Sequence, residues 1–290
     1  MTDNPVLTDL DERGRLTLTL DSPSNRNALS PELIGGLRDG LARADQDSDV
    51  RVVVLTHTGT TFCAGADLKR KGAKAPAGGG DASTSEGTSG TGTSGTPSGG
   101  GSNTTSGGAA KAGSGGDAMV GLLRAILTCR VPVICAVDGH VRAGGMGLVA
   151  ACDFVVASTS ASFGLSEVRI GVVAAIVSSV VCERIGTRTA ADWMLTGRTV
   201  SAEDAGAAGF VTVVSDPTAT VVDDLCDQLS RGGPDALAGT KTITSAPLLR
   251  RLDAEAEAMS ALSARHFASA EAAAGIRAFA AKEPPPWHPQ

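Results

Sequence analysis

The chain has 290 residues, enough for one large domain or two modest ones around a sizeable core. Its net charge is −6, with 25 Lys and Arg against 31 Asp and Glu and no basic stripe, which argues against nucleic acid as a partner. Hydrophobic residues make up 42%, aromatics only 3% and Tyr is absent, so the core is expected to consist of Ala, Val, Leu and Ile.

The first ten residues carry acids and Pro but no apolar run, unlike a signal peptide. No apolar stretch approaches the roughly eighteen residues a membrane span needs. A soluble cytoplasmic protein is the expectation. The six cysteines (Cys63, Cys129, Cys135, Cys152, Cys182 and Cys226) form no C-x-x-C pair, and all but Cys226 sit among apolar or small residues. They read as reduced thiols, not disulfide partners or metal ligands.

In chain order, Arg15–Asp21 alternates with period two and predicts a strand. Ser30-Pro31-Glu32 is a helix start, with Ser at the N-cap and Pro at the first helical position; the helix is expected to run to about Asp45. Val50–Thr56 predicts a buried strand, followed by a loop of small residues from Gly59 to Leu68. From Gly72 to Gly116 the chain is nearly all Gly, Ser, Thr and Ala, without Leu, Ile, Val or an aromatic residue. Such a run can bury nothing to offset the entropy of ordering, and it is expected to be a disordered insert.

A helix over Asp117–Thr128 and a strand over Val131–Asp138 come next, then a glycine-rich turn leading into a helix that ends near Ala151. Phe154–Ala157 predicts a further strand, Gly171–Ile185 and Thr187–Leu195 two helices, and Phe210–Val214 another strand. A helix start is read at Ser201-Ala202-Glu203-Asp204. From Thr218 to Lys282 the pattern is helical, with breaks expected at Gly232-Gly233-Pro234 and near Pro247. Interleaved strands and helices followed by an all-helical end predict an α/β class.

Two segments attract attention on chemical grounds. Phe62-Cys63-Ala64-Gly65-Ala66-Asp67-Leu68 follows a buried strand, and its small residues let a ligand approach the backbone closely. Ala143-Gly144-Gly145-Met146-Gly147 lies at a strand-to-helix turn, where backbone N–H groups are unpaired and the helix dipole favours negative charge. Two such N–H groups converging on one point make an oxyanion hole. There is no metal-ligand spacing, no Gly-x-Ser-x-Gly elbow, no Gly-Lys phosphate loop and no strand-borne Gly-x-Gly-x-x-Gly.

The order of these motifs resembles the crotonase (enoyl-CoA hydratase/isomerase) superfamily. The resemblance is carried by Arg26-Asn27-Ala28-Leu29, by Phe62–Leu68, and by Ala136-Val137-Asp138-Gly139 running into Ala143–Leu148. It continues through Ala151-Cys152-Asp153, Phe163–Gly171, Leu195–Arg198, Ala205–Phe210 and Ile276–Lys282, and covers nearly the whole chain except the insert. It implies a spiral of β-β-α turns over residues 1–225 and a helical oligomerisation region over 226–290 that forms a trimer or a dimer of trimers.

By position, the resemblance implies that Ala66 and Gly144 supply the two oxyanion N–H groups and that Glu167 is the acid/base. Arg26, Ala28, Ala64, Leu68 and Gly145 would lie along the substrate, and Lys282 would reach coenzyme A from a neighbouring subunit. Asp67 would also lie along the substrate, supporting the loop more than the chemistry. The substrate would be an acyl-CoA thioester, with no cofactor beyond the coenzyme A it carries.

The first of the family's two hydratase glutamates falls on Gly147, which cannot do acid/base work. Three readings follow: an enoyl-CoA hydratase, an isomerase that uses Glu167 alone, and a member that binds acyl-CoA without catalysis. Plainer roles stay open beside these: Glu167 as a solvated acid in a first helical turn, Gly144 and Gly145 as packing glycines, and His140 and Arg142 as structural or phosphate-binding groups or as substitutes for the missing carboxylate.

Overall fold

The computed structural model describes residues 4–68 and 115–289. The predicted disordered insert therefore lies outside the described residues, except for Gly115 and Gly116, which already belong to a helix.

Two strands open the chain, β1 (Val6–Leu10) and β2 (Arg15–Leu20), paired antiparallel. Alternation in β2 turns Leu16, Leu18 and Leu20 into the core. Helix α1 (Pro31–Gln46) starts at Ser30, whose side chain accepts from the N–H of Leu33 at 3.2 Å, with Pro31 in the first turn. It lies on β2 so closely that a Cβ on Gly40 would meet Leu18 at 2.5 Å.

The next segments repeat one pattern. Strand β3 (Val52–His57) passes to β4 (Thr61–Cys63), and helix α2 (Gly115–Thr128) is the next described helix. Strand β5 (Val133–Val137) passes to β6 (His140–Arg142) and helix α3 (Gly144–Ala151). Strand β7 (Phe154–Ala157) passes to β8 (Ser162–Gly164) and helix α4 (Ala175–Thr196). Six strands join one sheet in the order β1-β2-β3-β5-β7-β10, and four short ones join a second in the order β4-β6-β8-β9, among the described residues. Each turn thus contributes one strand to each sheet before its helix, which is the expected β-β-α spiral.

The remaining elements are β9 (Val200–Ser201), α5 (Ala202–Ala207), β10 (Val213–Val214), α6 (Thr218–Ser230), α7 (Pro234–Phe267) and α8 (Ala270–Ala281). The large sheet is covered on both faces, so its central strands read as unbroken apolar runs. Val53, Leu55 and Cys135 face the main core, while Val52, Val54, Ile134 and Val156 pack with Val222 of α6 on the other side. Helix α6 runs through residues 225 and 226 without a break. Leu248 and Leu252 bring α7 into the main core.

Several expectations need correction. β1 and the short strands β4, β6, β8 and β9 were not expected, and Phe210–Val214 is a strand only at its last two residues. Helix α4 is broken at Gly186 (φ 72°, ψ 159°), which separates the two helices expected there, but the first of them begins at Ala175 and not at Gly171. Helix α7 continues through Pro247; the chain breaks at residues 268–269 instead. All six cysteines are free, four of them buried. Among the described residues no helix is long and apolar enough to cross a membrane, and no cluster of His, Cys, Asp and Glu could hold a metal ion.

Candidate active site

The site forms where the two glycine-rich segments meet. Asn27 starts it. Fully buried, with φ at 52°, its side-chain amide donates to the carbonyls of Thr58 (3.1 Å) and Thr61 (2.8 Å) and accepts from the N–H of Ser22 at 2.7 Å. This ties the turn before α1 to the loop that carries β4. The loop then pairs with Leu29: the Leu29 N–H donates to the Gly65 carbonyl at 2.8 Å, in a parallel bridge between Leu29 and Ala66. That bridge consumes the Gly65 carbonyl and leaves the Ala66 N–H without an acceptor among the described residues.

Gly144 is the first residue of α3, so its N–H has no partner within the helix. The two segments touch: a Cβ on Gly65 would lie 2.5 Å from the Ala143 Cβ and 3.3 Å from the Gly144 nitrogen. Only glycine fits at position 65, where φ is also +87°. The turn is completed by Ala143 at φ 51°, ψ −122°, a conformation that L-residues adopt only under strain.

A cavity of about 470 Å³ opens in front of these N–H groups. Ala64, Ala66, Asp67, Leu68 and Gly144 line it, and Glu167 stands on its wall. Glu167 begins a 3-10 turn, Glu167–Ile170, that ends at Gly171. Helix α8 is laid directly on this turn, since a Cβ at Gly275 would meet the Ile170 carbonyl oxygen at 2.5 Å. Glu167 is buried, at 9% exposure, and its Oε2 has no hydrogen-bond partner among the described residues. Loss of water raises its pKa from 4.5 to about 7, against a smaller opposing effect of its own backbone N–H. Glu167 is therefore not a solvated helix-start acid.

The other implied site residues fall elsewhere. Arg26 is exposed and Ala28 buried, and neither is part of the cavity wall among the described residues. Gly145 faces Cys63, where a Cβ would meet the Cys63 Cβ at 2.7 Å. Lys282 caps α8, exposed, three residues beyond Phe279, which does line the cavity. Arg142 donates to the Ser162 carbonyl and hydroxyl at 2.8 and 2.9 Å, and His140 Nδ1 lies 2.8 Å from that same hydroxyl. Both are absent from the cavity wall, so neither replaces a carboxylate there.

Position 147 is closed to a side chain. A Cβ on Gly147 would meet Val177 at 2.6 Å and Met119 at 3.2 Å. Val177 and Met119 line the cavity in front of it. Motif reading did not find these two, nor Ser263, Phe267 and Phe279 of the C-terminal helices. The spacing of Val173, Ile176 and Val177 is the helical signal that marks part of this wall.

Ala66, Gly144 and the desolvated Glu167 carboxylate thus line one mostly apolar cavity. The model of the enoyl-CoA hydratase/isomerase family matches residues 12–89 and 97–290. The chain belongs to that family and is an enoyl-CoA hydratase-like enzyme of the hydratase/isomerase type. It is 31% identical to the enoyl-CoA hydratase EchA19 of Mycobacterium tuberculosis, over 95% of this chain and 94% of that one. It is also 31% identical to the mevalonyl-coenzyme A hydratase sidH of Aspergillus fumigatus, over 94% and 91% of the two chains. Among solved structures, an enoyl-CoA hydratase from Mycobacterium avium is similar at 38% identity and a TM-score of 0.79, over 99% of this chain and all of that one.

Proposed function

We propose that the protein hydrates a 2-enoyl-CoA, with Ala66 and Gly144 holding the thioester oxygen and Glu167 moving the proton. The observation that carries this is the Glu167 carboxylate, buried without a partner for Oε2 on the wall of the cavity that the two N–H groups border. Glu167 takes a proton from water as the water oxygen bonds to C3. The C2=C3 electron pair moves onto the thioester oxygen, and the two N–H groups stabilise the enolate that results. Glu167 then returns the proton to C2 and the carbonyl reforms, so the hydroxyl ends on C3 and the hydrogen on C2. A pKa near 7 suits a group that is base and then acid at neutral pH.

Arg26 and Ala28 along the coenzyme A, and Lys282 reaching it from a neighbouring subunit, belong to the same proposal, as does a trimer or a dimer of trimers. Exposed apolar side chains support assembly, with Leu195, Ile243 and Phe279 at 76%, 75% and 62% exposure. No cofactor is required, and a cytoplasmic role in fatty-acid metabolism goes with this reading.

Gly147, sealed behind Val177 and Met119, favours a second reading. Without an opposing carboxylate the water is held by Glu167 alone, and Glu167 alone suffices to move a proton between carbons in a 3-enoyl-CoA. Absorbance of the conjugated thioester separates the two: it falls when crotonyl-CoA is hydrated and rises when a 3-enoyl-CoA is isomerised. The expected result is a fall with crotonyl-CoA. A rise with the 3-enoyl ester and no change with crotonyl-CoA would establish the isomerase, and binding without either would leave a non-catalytic acyl-CoA protein.

A further inference from the structure

The turn that carries Glu167 is tied to that residue's own backbone. The Gly171 N–H donates to the carbonyls of Glu167 and Val168, and the Val172 N–H donates to the Glu167 carbonyl at 3.1 Å. Glu167 and Gly171 therefore move together. Gly171 has φ at +73°, and a Cβ there would lie 2.9 Å from the Glu271 carbonyl oxygen and 3.0 Å from the Ala272 nitrogen of α8. Three residues further along α8, Gly275 rests on the other end of the turn. A Cβ at Gly275 would meet the Ile170 carbonyl oxygen at 2.5 Å and the Ile170 Cα at 2.8 Å. Both contacts are with backbone, which cannot swing aside as the end of a long side chain can.

Helix α8 reaches the cavity as well. Ile170 lines it, and so does Phe279, which follows Gly275 by four residues and so lies over the same face of the helix. The turn's own side chains hold it less firmly. Val168 and Arg169 are exposed, and Arg169 donates to the Thr196 carbonyl at 3.3 Å.

We propose that Gly275 is a positioning residue: by letting α8 rest on the backbone of the turn, it fixes where the Glu167 carboxylate stands relative to the Ala66 and Gly144 N–H groups. A side chain at position 275 pushes the turn off α8, and the bonds from Gly171 and Val172 carry that shift to Glu167. The proposal rests on the reading of Glu167 as the acid/base. The spiral supplies the donors and the carboxylate, and the C-terminal helix sets the spacing between them. A misplacement of about 1 Å in such a group can cost about 10²-fold in rate.

Kinetics on whichever of crotonyl-CoA and a 3-enoyl-CoA the wild type turns over, with calorimetry of the unreactive butyryl-CoA, test the proposal. Gly275→Ala should lower kcat roughly 10²-fold and leave KM and butyryl-CoA affinity at wild-type values, because the Ala66 and Gly144 donors are untouched. Ala272→Gly is milder: it removes a fully buried methyl from the same helix face and should lower kcat several-fold in the same pattern. Ala205→Gly, equally buried but in α5 and outside the cavity wall, should lower the thermal midpoint with kcat unchanged. A folded Gly275→Ala protein with wild-type kcat, or one that loses kcat and butyryl-CoA affinity together, would overturn the proposal. If Gly275→Ala does not fold, the other pair decides: a fall in kcat confined to Ala272→Gly upholds the proposal, and equal kcat in the two overturns it. Wild-type turnover beside an indifferent Gly275→Ala would remove this proposal alone. A wild type that turns over neither ester would remove the acid/base reading and the proposal together.

Discussion

At the scale of single residues, Glu167 sets activity against stability. Its folded-state pKa is raised, so between pH 4.5 and about 7 the folded chain keeps a proton that the unfolded chain has lost. Stability therefore falls as pH rises through that window, and the full penalty acts above it. Glu167→Gln should lower kcat/KM by about 10²–10⁴ and remove the ascending limb near pH 7. The same variant should be more stable than wild type at pH 8, by on the order of 3 kcal/mol, and show no gain below pH 4.5. Denaturant melts at the two pH values measure this; an equal gain at both would mean that burial is not what shifts the group. Ala143 holds a different strain, in its backbone. Ala143→Gly should raise stability by about 1 kcal/mol, since relief of a disfavoured φ outweighs the added freedom of the unfolded chain. A lower thermal midpoint would contradict this. Motif order alone pointed to Ala66, Gly144 and Glu167. It could not point to Val177 and Met119, because a cavity wall is made by helices that meet only after folding.

At the scale of elements, the sequence pattern located long strands and helices well and short ones poorly. β4, β6, β8 and β9 have two or three residues each, too few for a period of two to be visible, and their pairing comes from neighbours far along the chain. Pro247 misled in the opposite direction. It removes one N–H donor from α7, but Leu248 and Leu252 immediately after it are buried in the core, and that burial holds the helix together. Earlier in the same helix, the ammonium of Lys241 lies 2.7 Å from Asp153 and donates to the Val131 carbonyl at 3.1 Å, both side chains being largely buried. Asp153 also accepts from the N–H of Val133 at 2.8 Å, so this pair fastens α7 to the start of β5. Lys241→Met leaves the Asp153 charge uncompensated in the interior and should cost about 3–5 kcal/mol. Urea titration measures it; a loss below about 1 kcal/mol would mean that Asp153 finds water or another cation.

At the scale of the whole molecule, the spiral was legible from the resemblance and from interleaved strands and helices, but the division of strands between two sheets was not. Nor does the monomer pattern specify assembly. The exposed Leu195, Ile243 and Phe279 are expected to be covered in a trimer or a dimer of trimers, and sedimentation at micromolar concentration should show no stable monomer. A monomer under those conditions would remove the neighbouring-subunit role proposed for Lys282. The pairing proposed for the Ala66 and Gly144 N–H groups has a further consequence, in time. Each donor belongs to a different turn of the spiral, and they come together only when β4 pairs with β6, next to each other in the small sheet. Distant pairings of this kind are the slow steps of folding. In a refolding experiment helix signal should therefore return first and turnover last. A chain stopped before β6 should carry no fraction of the activity, because half of an oxyanion hole is not a weaker one but an ordinary loop.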